Sequence, residues 1–307
     1  MNAALHLAQE GADVTLLDAE TIGWGASGRN GGFCCLGGGI LENAQIDKAY
    51  GSQARRAWRE TEKHAVSHVA ALLDKHEIVA DTHSKGETLL AHKPSSWATI
   101  QRYADQINED YDVSPMLIPP HALAEHGLAG PFHGALTTPI GFALNPLKYA
   151  HGLARAALSS GAALFEQSAV TRIEQGAHFT LHTAQGKLSA KRLIIATNGY
   201  SSEDVPAWLA GRFMPVQSSV LVTRPLTDTE IQTAGWSSDQ MAFDSRNLLH
   251  YFRLMPDRRF LFGMRGGIFA TSRSDAKIKQ MILSDFKGMF PAWAAVDIEH
   301  MWSGLVC

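Results

Sequence analysis

The stretch Val14–Gly32, VTLLDAETIGWGASGRNGG, decides the fold of this chain. An apolar run, Ala12–Leu17, is typical of a buried parallel strand, and the acid Asp18 follows it directly. A loop dense in glycine comes next and carries Ser27 and Arg29 among its small residues. An acid at the end of a strand and a loop with accessible backbone N–H groups can bind the ribose and phosphates of a dinucleotide.

A second motif within this stretch, Gly23–Gly28 (GWGASG), matches the G-x-G-x-x-G fingerprint letter for letter. The fingerprint requires a strand that leads directly into a helix whose N-terminus faces the pyrophosphate. Several residues separate the strand from Gly23, and Arg29-Asn30-Gly31-Gly32 is not predicted to begin a helix. We interpret the match as accidental. The stretch is instead predicted to be the second strand of a nucleotide fold and its loop, preceded by a helix over Asn2–Glu10.

Composition limits the classes of function. At 307 residues, with 45% apolar residues, 19% charged residues and a net charge of −3, the chain is typical of a globular protein that does not bind nucleic acid. No membrane span or signal peptide is predicted, so we expect a cytoplasmic protein. The three cysteines, Cys34, Cys35 and Cys307, do not suggest a disulfide framework. No metal site is predicted.

Hydrophobic periodicity predicts helices and strands along the rest of the chain. Helices are expected over Glu42–Asp74, Ser95–Glu109, His121–His126, Pro146–Leu158 (ended by Gly161) and Ala276–Gly288. Strands are expected over Thr82–His92, Ala163–Phe165, Ala169–Glu174, Phe179–Thr183, Leu188–Ala196, Met214–Thr223, Leu249–Arg253 and Phe260–Met264.

The segment ADVTLLDAETIGWGASGRNGG resembles the second strand and following loop of the FAD-dependent oxidoreductases of the D-amino-acid oxidase class. It is most similar to the gamma-glutamylputrescine oxidoreductase-like members. Further segments resemble the family in the same order. They are Phe142–Leu158 (FALNPLKYAHGLARAAL), Ala169–Glu174 (AVTRIE), Leu193–Ser201 (LIIATNGYS) and Tyr251–Gly263 (YFRLMPDRRFLFG).

The resemblance implies an α/β fold with a Rossmann-like FAD-binding domain and an interleaved substrate domain built on a mixed β-sheet. Residues 1–80 and 145–210 are expected to form the FAD-binding domain. Residues 81–144 and 211–295 are expected to form the substrate domain. Residues 296–307, which include a W-x-G motif at Trp302, are expected to begin the return to the FAD-binding domain.

The resemblance also implies site residues. Those expected to contact FAD are Asp18, Ala26, Ser27, Gly28, Arg29, Asn30, Gly31, Gly32, Val170, Thr197, Asn198 and Gly199. Tyr251 and Arg253 are expected to face the substrate, and Arg265 is a second candidate partner for a carboxylate, because arginine binds carboxylates bidentately. No residue is assigned to catalysis, and no lysine is assigned to oxygen activation.

The implied reaction is oxidation of the C–N bond of a small amine or amino acid by hydride transfer to the flavin, which carries the redox chemistry. Oxygen and another electron acceptor both remain open. The family's first strand and its glycine loop have no counterpart before Met1, and the family pattern continues beyond the W-x-G motif. An alternative is therefore a non-catalytic, truncated remnant with weak or no FAD binding. An NAD-linked dehydrogenase is disfavoured, because the GASGRNGG loop has no role there.

Overall fold

The computed structural model describes residues 1–37, 39, 41–266 and 272–306, so Cys307 lies outside the described residues. The helices are α1 (Asn2–Gln9), α2 (Ala26–Arg29), α3 (Asn43–Tyr50), α4 (Ser52–Lys75), α5 (Pro94–Tyr111), α6 (Pro146–Ser159), α7 (Asp228–Ala234) and α8 (Ser272–Met289). The strands are β1 (Thr15–Leu17), β2 (Phe33–Cys34), β3 (Glu87–Leu90), β4 (Met116–Ile118), β5 (Ala135–Thr138), β6 (Phe142–Ala143), β7 (Ala163–Phe165), β8 (Arg172–Gln175), β9 (Phe179–His182), β10 (Lys187–Ala190), β11 (Val216–Thr223), β12 (Met241–Asp244), β13 (His250–Leu254), β14 (Phe260–Arg265) and β15 (Ile298–Val306).

The largest sheet has eight strands in the order β15-β11-β14-β13-β12-β3-β5-β4. Strands β12 and β3 run parallel, and the other neighbours run antiparallel, so the sheet is mixed as expected. Side chains alternate between the two faces of a strand. On β3, Thr88 and Leu90 are buried in the core, which leaves Glu87 and Leu89 on the opposite face.

An aromatic core fills the space between this sheet and α8. Phe252 and Phe260 from the sheet, Phe286 from α8 and Trp293 just after it are each fully buried, and Trp236 joins them. The Phe260 and Trp293 rings lie 4.7 Å apart between centroids. Buried aromatic side chains contribute much of a core's hydrophobic stabilisation. This core fixes one face of the sheet and leaves the other free to form a site.

The nucleotide part of the fold is built around the parallel pair β1 and β7, where Thr15 pairs with Ala163 and Leu17 with Phe165. Helix α6 begins at a proline, and the Asn145 side chain accepts a hydrogen bond from the Lys148 N–H at 3.2 Å. This cap satisfies one of the free donors at the start of the helix. Helices α1 and α6 then pack beside the pair. Within the described residues, each helix is too short or too polar to cross a membrane.

Most predicted elements are confirmed, and five predictions are wrong in part. The helix predicted over His121–His126 is a 3-10 turn over Pro120–Ala122, and the strand predicted over Thr82–His92 is confined to Glu87–Leu90. The helix predicted over Glu42–Asp74 is two helices, because Gly51 has a φ of +85° and breaks the helical backbone. The strand predicted over Leu188–Ala196 ends at Ala190, since the described residues offer no neighbouring strand to the segment that follows. A helical turn, α2, occupies part of the predicted loop, because Asn30 caps it.

The division into two domains remains a prediction. Most of the residues predicted to begin a return to the FAD-binding domain form β15. This strand pairs with β11 from Ile298 to Val306 and is the outermost strand of the large sheet. Long antiparallel pairing to β11 keeps it there.

Candidate functional site

A cavity of about 1280 Å³ lies between the glycine-rich loop and the free face of the large sheet. We call its first side the loop wall, formed by Ala26, Ser27, Arg29, Asn30, Gly31, Asn198 and Gly304. We call the opposite side the sheet wall, formed by Glu87, Leu89, Ser218, Phe243, Tyr251 and Arg265. Helix α5 contributes a third side through Tyr103 and its neighbours.

The loop wall is held by hydrogen bonds within its own backbone. The Asn30 Nδ2 group donates to the Ala26 carbonyl at 3.0 Å and to the Ser27 carbonyl at 3.2 Å. Its Oδ1 atom accepts from the Gly32 N–H at 2.9 Å. Asn30 therefore shapes the loop that the sequence predicts to contact the cofactor. Its side-chain amide is already engaged within the loop.

Arg29 joins the loop wall to β15. Its guanidinium donates to the Trp24 carbonyl, lies over the Trp24 ring, and donates to the Ser303 carbonyl at 3.2 Å. The Trp302 indole N–H returns a hydrogen bond to the Arg29 carbonyl at 2.8 Å. The W-x-G motif thus lies against the predicted cofactor loop.

The segment with Thr197, Asn198 and Gly199 reaches the same wall. Asn198 lines the cavity, whereas Thr197 and Gly199 do not. Tyr200, which sequence reasoning missed, accepts a hydrogen bond from the Leu305 N–H at 3.1 Å and packs edge-on against Trp24. Its position next to the predicted motif was the signal that could have found it.

Asp18 and Val170 come together at the carboxyl ends of β1 and β7, away from the cavity. The Asp18 carbonyl accepts from the Ser168 N–H at 2.8 Å, and the Asp18 carboxylate accepts from the Glu20 N–H at 3.0 Å. Ligands bind outside the carboxyl ends of parallel strands in open α/β sheets. Asp18 is thus joined to the segment that leads from β7 to Val170. Gly28 and Gly32 shape the loop without lining the cavity.

Tyr251 lies at the centre of the sheet wall. Its hydroxyl is 2.9 Å from the Ser218 Oγ, and burial raises the pKa of the phenol. The loop approaches this ring so closely that a Cβ atom on Gly31 would lie 2.5 Å from it, which explains why glycine is needed there. Tyr251 thus stays a neutral hydrogen-bonding group facing the cavity.

The two candidate arginines have different places. Arg253 is buried, and its guanidinium donates to the Gly31 carbonyl at 3.0 Å and the Leu144 carbonyl at 2.9 Å. A substrate role for Arg253 does not fit this placement, since its guanidinium holds the backbone and does not line the cavity. Arg265 lines the cavity, and none of the ion pairs among the described residues involves it. Both arginines lie on the same face of the sheet, since Arg253 pairs with Leu261 and Arg265 lies four residues further along β14. Their positions along the strands distinguish them, because the glycine-rich loop covers Arg253 and leaves Arg265 at the cavity.

Sequence reasoning also missed Glu87, which lines the sheet wall from β3. The Cys35 thiol hydrogen-bonds to its carboxylate, and burial raises the pKa of Glu87 to about 7. Burial and the carboxylate raise the pKa of Cys35 well above its usual range, so this thiol is not a nucleophile. The alternation of β3 around Gly86 could have identified Glu87 as facing away from the core.

Comparison with known proteins adds to this geometry. A family model described as FAD dependent oxidoreductase matches residues 1–307. The chain is 29% identical over 304 residues to gamma-glutamylputrescine oxidoreductase of Escherichia coli (strain K12), covering 99% of this chain and 70% of that protein. It is 30% identical over 312 residues to the probable oxidoreductase OrdL of Rhizobium meliloti, covering 100% and 70%. The fold is similar to that of glycine oxidase from Geobacillus kaustophilus, with a TM-score of 0.74 at 18% identity, covering 99% of this chain and 78% of that one.

Proposed function

The chain belongs to the family of FAD-dependent oxidoreductases, and from this premise we propose that it oxidises a C–N bond in an amine of the gamma-glutamylputrescine type. Its similarity to gamma-glutamylputrescine oxidoreductase supports this substrate class. The observation that carries the proposal is the sheet wall. There Tyr251 and Arg265, a neutral phenol and a guanidinium, face the loop wall across one cavity.

The residues present fit FAD. The loop wall offers small residues and the Ser27 hydroxyl at the cavity, and Asp18 lies at the strand end where a ribose is bound in such folds. The cavity between the two walls, about 1280 Å³, has the size of a cofactor site with room for a small substrate. When bound, FAD supplies the two-electron acceptor for hydride removal from the carbon next to the amine nitrogen.

The chain's own residues orient the substrate. Tyr251 can accept or donate one hydrogen bond at the centre of the sheet wall, with Ser218 fixing its hydroxyl at 2.9 Å. Arg265 can bind a substrate carboxylate bidentately. The amine must lose its proton before its neighbouring C–H bond is oxidised. Water then hydrolyses the product imine to an aldehyde or keto acid and releases the nitrogen as ammonia or a smaller amine. Fixing both ends of the substrate reduces the entropy lost on the way to the reactive geometry.

The alternative of a non-catalytic remnant is not favoured. The family model matches residues 1–307, and the sheet wall retains charged and polar groups directed at the cavity. A structural remnant has no need of a carboxylate without a cationic partner at the cavity, because a largely buried charge without a partner is costly.

The test is anaerobic mixing of the purified FAD-loaded chain with a panel of amines that includes gamma-glutamylputrescine, glycine and n-pentylamine. We expect gamma-glutamylputrescine to bleach the visible absorbance of the flavin fastest. Bleaching by glycine alone would replace the proposed substrate class with short amino acids. A chain that holds FAD and is bleached by none of the amines would overturn the proposal.

A further inference from the structure

Glu87 is the one carboxylate of the sheet wall as we have defined it, and it projects from β3 on the cavity side. Its strand neighbours Thr88 and Leu90 point into the core, so the alternation of the strand holds Glu87 towards the cavity. Its position is therefore fixed by the fold of the sheet.

The carboxylate has no cationic partner within the described part of the chain. Its neighbours are the Cys35 thiol, which donates a hydrogen bond, and the negative charge of Glu62, which disfavours ionisation. The nearby cation Arg59 is engaged by Glu62 at 2.8 Å and by Asn43 at 2.8 Å. Because burial without a cation raises the pKa of Glu87 to about 7, the ionised form lacks a stabilising partner.

An aromatic residue accompanies the carboxylate. Tyr103 on α5 lines the same cavity, and the charge of Glu87 contributes to the raised pKa of its phenol. Aromatic rings and carboxylates together are typical of sites for organic ammonium groups, since the ring face attracts cations. The chemistry around Glu87 is complementary to a positive charge brought by a ligand.

We propose that Glu87 binds a second, non-reacting ammonium group of the substrate and so makes this enzyme selective for diamines and their derivatives. This inference rests on the proposed function and deepens it. Arg265 and Glu87 would then give the cavity opposite charges at two places on the sheet wall.

The sheet register sets the length of such a substrate. Tyr251 on β13 pairs with Phe243 on β12, and Phe243 pairs with Leu89 on β3. Glu87 lies two residues before Leu89 on β3 and therefore on the same face of the sheet. With the usual spacing of strands and residues, the Cα atoms of Glu87 and Tyr251 are roughly 12 Å apart. Side chains from both positions point into the cavity. This separation suits an amine whose two nitrogens are joined by a chain of several carbons.

The experiment compares two probes of equal length, cadaverine and n-pentylamine, which differ by one ammonium group. Their dissociation constants for the FAD-loaded protein are measured by calorimetry at a pH well above 7, where Glu87 is ionised. The variants are Glu87→Gln and, as a matched control outside the cavity, the exposed Glu125→Gln. Thermal unfolding and flavin content check that each variant is folded.

We expect the wild type to bind cadaverine at least about tenfold more tightly than n-pentylamine. A difference of this size corresponds to the free energy of one hydrogen bond to a charged group. Glu87→Gln should abolish this preference, and Glu125→Gln should keep it. Equal dissociation constants in the wild type, including no measurable binding of either probe, overturn the proposal. So does a preference that survives Glu87→Gln. If Glu87→Gln does not fold, Glu87→Met, which keeps a similar volume, takes its place.

The result is independent of the proposed reaction, because calorimetry does not require turnover. A preference for cadaverine without flavin bleaching by any amine would refute the proposed function and keep the ammonium site. Flavin bleaching by amines without a preference for cadaverine would refute the site and keep the function.

Discussion

On the loop wall, the Asn30 amide is engaged by the backbone of its own loop, whereas on the sheet wall Arg265 and Glu87 face the cavity without an ion-pair partner among the described residues. The loop wall is organised before any ligand arrives. The sheet wall keeps two charged groups available to a ligand. Cofactor binding benefits from a preformed backbone, and substrate selection benefits from unpaired groups, because buried polar groups discriminate strongly against ligands that leave them unpaired.

Among the substitutions considered, Gly32→Ala in the loop is expected to lower the free energy of unfolding most. The φ of Gly32 is +73°, and a Cβ atom there would lie 2.0 Å from the Leu144 carbonyl oxygen. We expect Gly32→Ala to lower the free energy of unfolding by about 4 kcal/mol, combining left-handed strain with a backbone overlap. Chemical denaturation measures the loss. Gly11→Ala is the matched control, because Gly11 has a φ of +80° with open space around it. Equal losses in the two variants would show that the overlap has no effect.

Substitutions of Arg253 and Arg265 test the difference between the two walls directly, because Arg253 holds the loop and Arg265 faces the cavity. Arg253→Met should leave the Gly31 and Leu144 carbonyls without their donors, at a cost of about 3 kcal/mol in unfolding free energy. Burial lowers the pKa of Arg253 to about 10, so it is still charged at neutral pH and its hydrogen bonds are charge-assisted. Denaturation and retained flavin are the measurements. A stable variant with a raised KM would instead assign Arg253 to the substrate.

Arg265→Met should weaken substrate binding and leave the stability unchanged, which is the opposite of the result expected for Arg253→Met. The guanidinium lines the cavity and makes no ion pair among the described residues, so we expect unchanged stability. KM for a substrate that carries a carboxylate should rise about thirtyfold, which corresponds to roughly 2 kcal/mol of a charged hydrogen bond. KM for n-pentylamine, which has no carboxylate, is the internal control. An equal rise for both substrates would remove the proposed carboxylate contact.

The same contrast explains what the sequence could predict. The stretch around Asp18 and the loop through Gly32 carry local patterns, so the strand and the loop rich in glycine follow from neighbouring residues, and the cofactor role of the loop stays a prediction. Strand alternation around Gly86 could place Glu87 on the face away from the core, but its position in the cavity could not be found in this way, because it depends on the register that places β3 beside β12. Arg253 and Arg265 look alike in sequence. Only the packing of the loop against the sheet distinguishes them.

Glu87 makes the sheet wall sensitive to pH. Because its pKa is raised to about 7, the carboxyl is mostly neutral at pH 6 and mostly ionised at pH 8. The affinity for cadaverine relative to n-pentylamine should therefore rise about tenfold over this range, following the ionised fraction. The surrounding groups are Cys35 and Tyr103, whose raised pKa values keep them neutral, together with Glu62 and the guanidinium groups of Arg59 and Arg265. Titration calorimetry across the range measures the ratio, and a flat ratio in the wild type contradicts the prediction.

The smallest expected effect concerns the link between the walls. Trp302 on β15 donates from its indole N–H to the Arg29 carbonyl at 2.8 Å, and so ties the edge of the large sheet to the cofactor loop. Trp302→Phe keeps an aromatic ring and removes the donor, which should cost about 1 kcal/mol of unfolding free energy. Because the hydrogen bond that is removed ends on the loop wall, and Phe keeps the ring that packs against β11, the affinity for FAD should fall while the preference for cadaverine stays unchanged. A lost preference with unchanged FAD affinity would show that β15 serves the substrate side of the cavity.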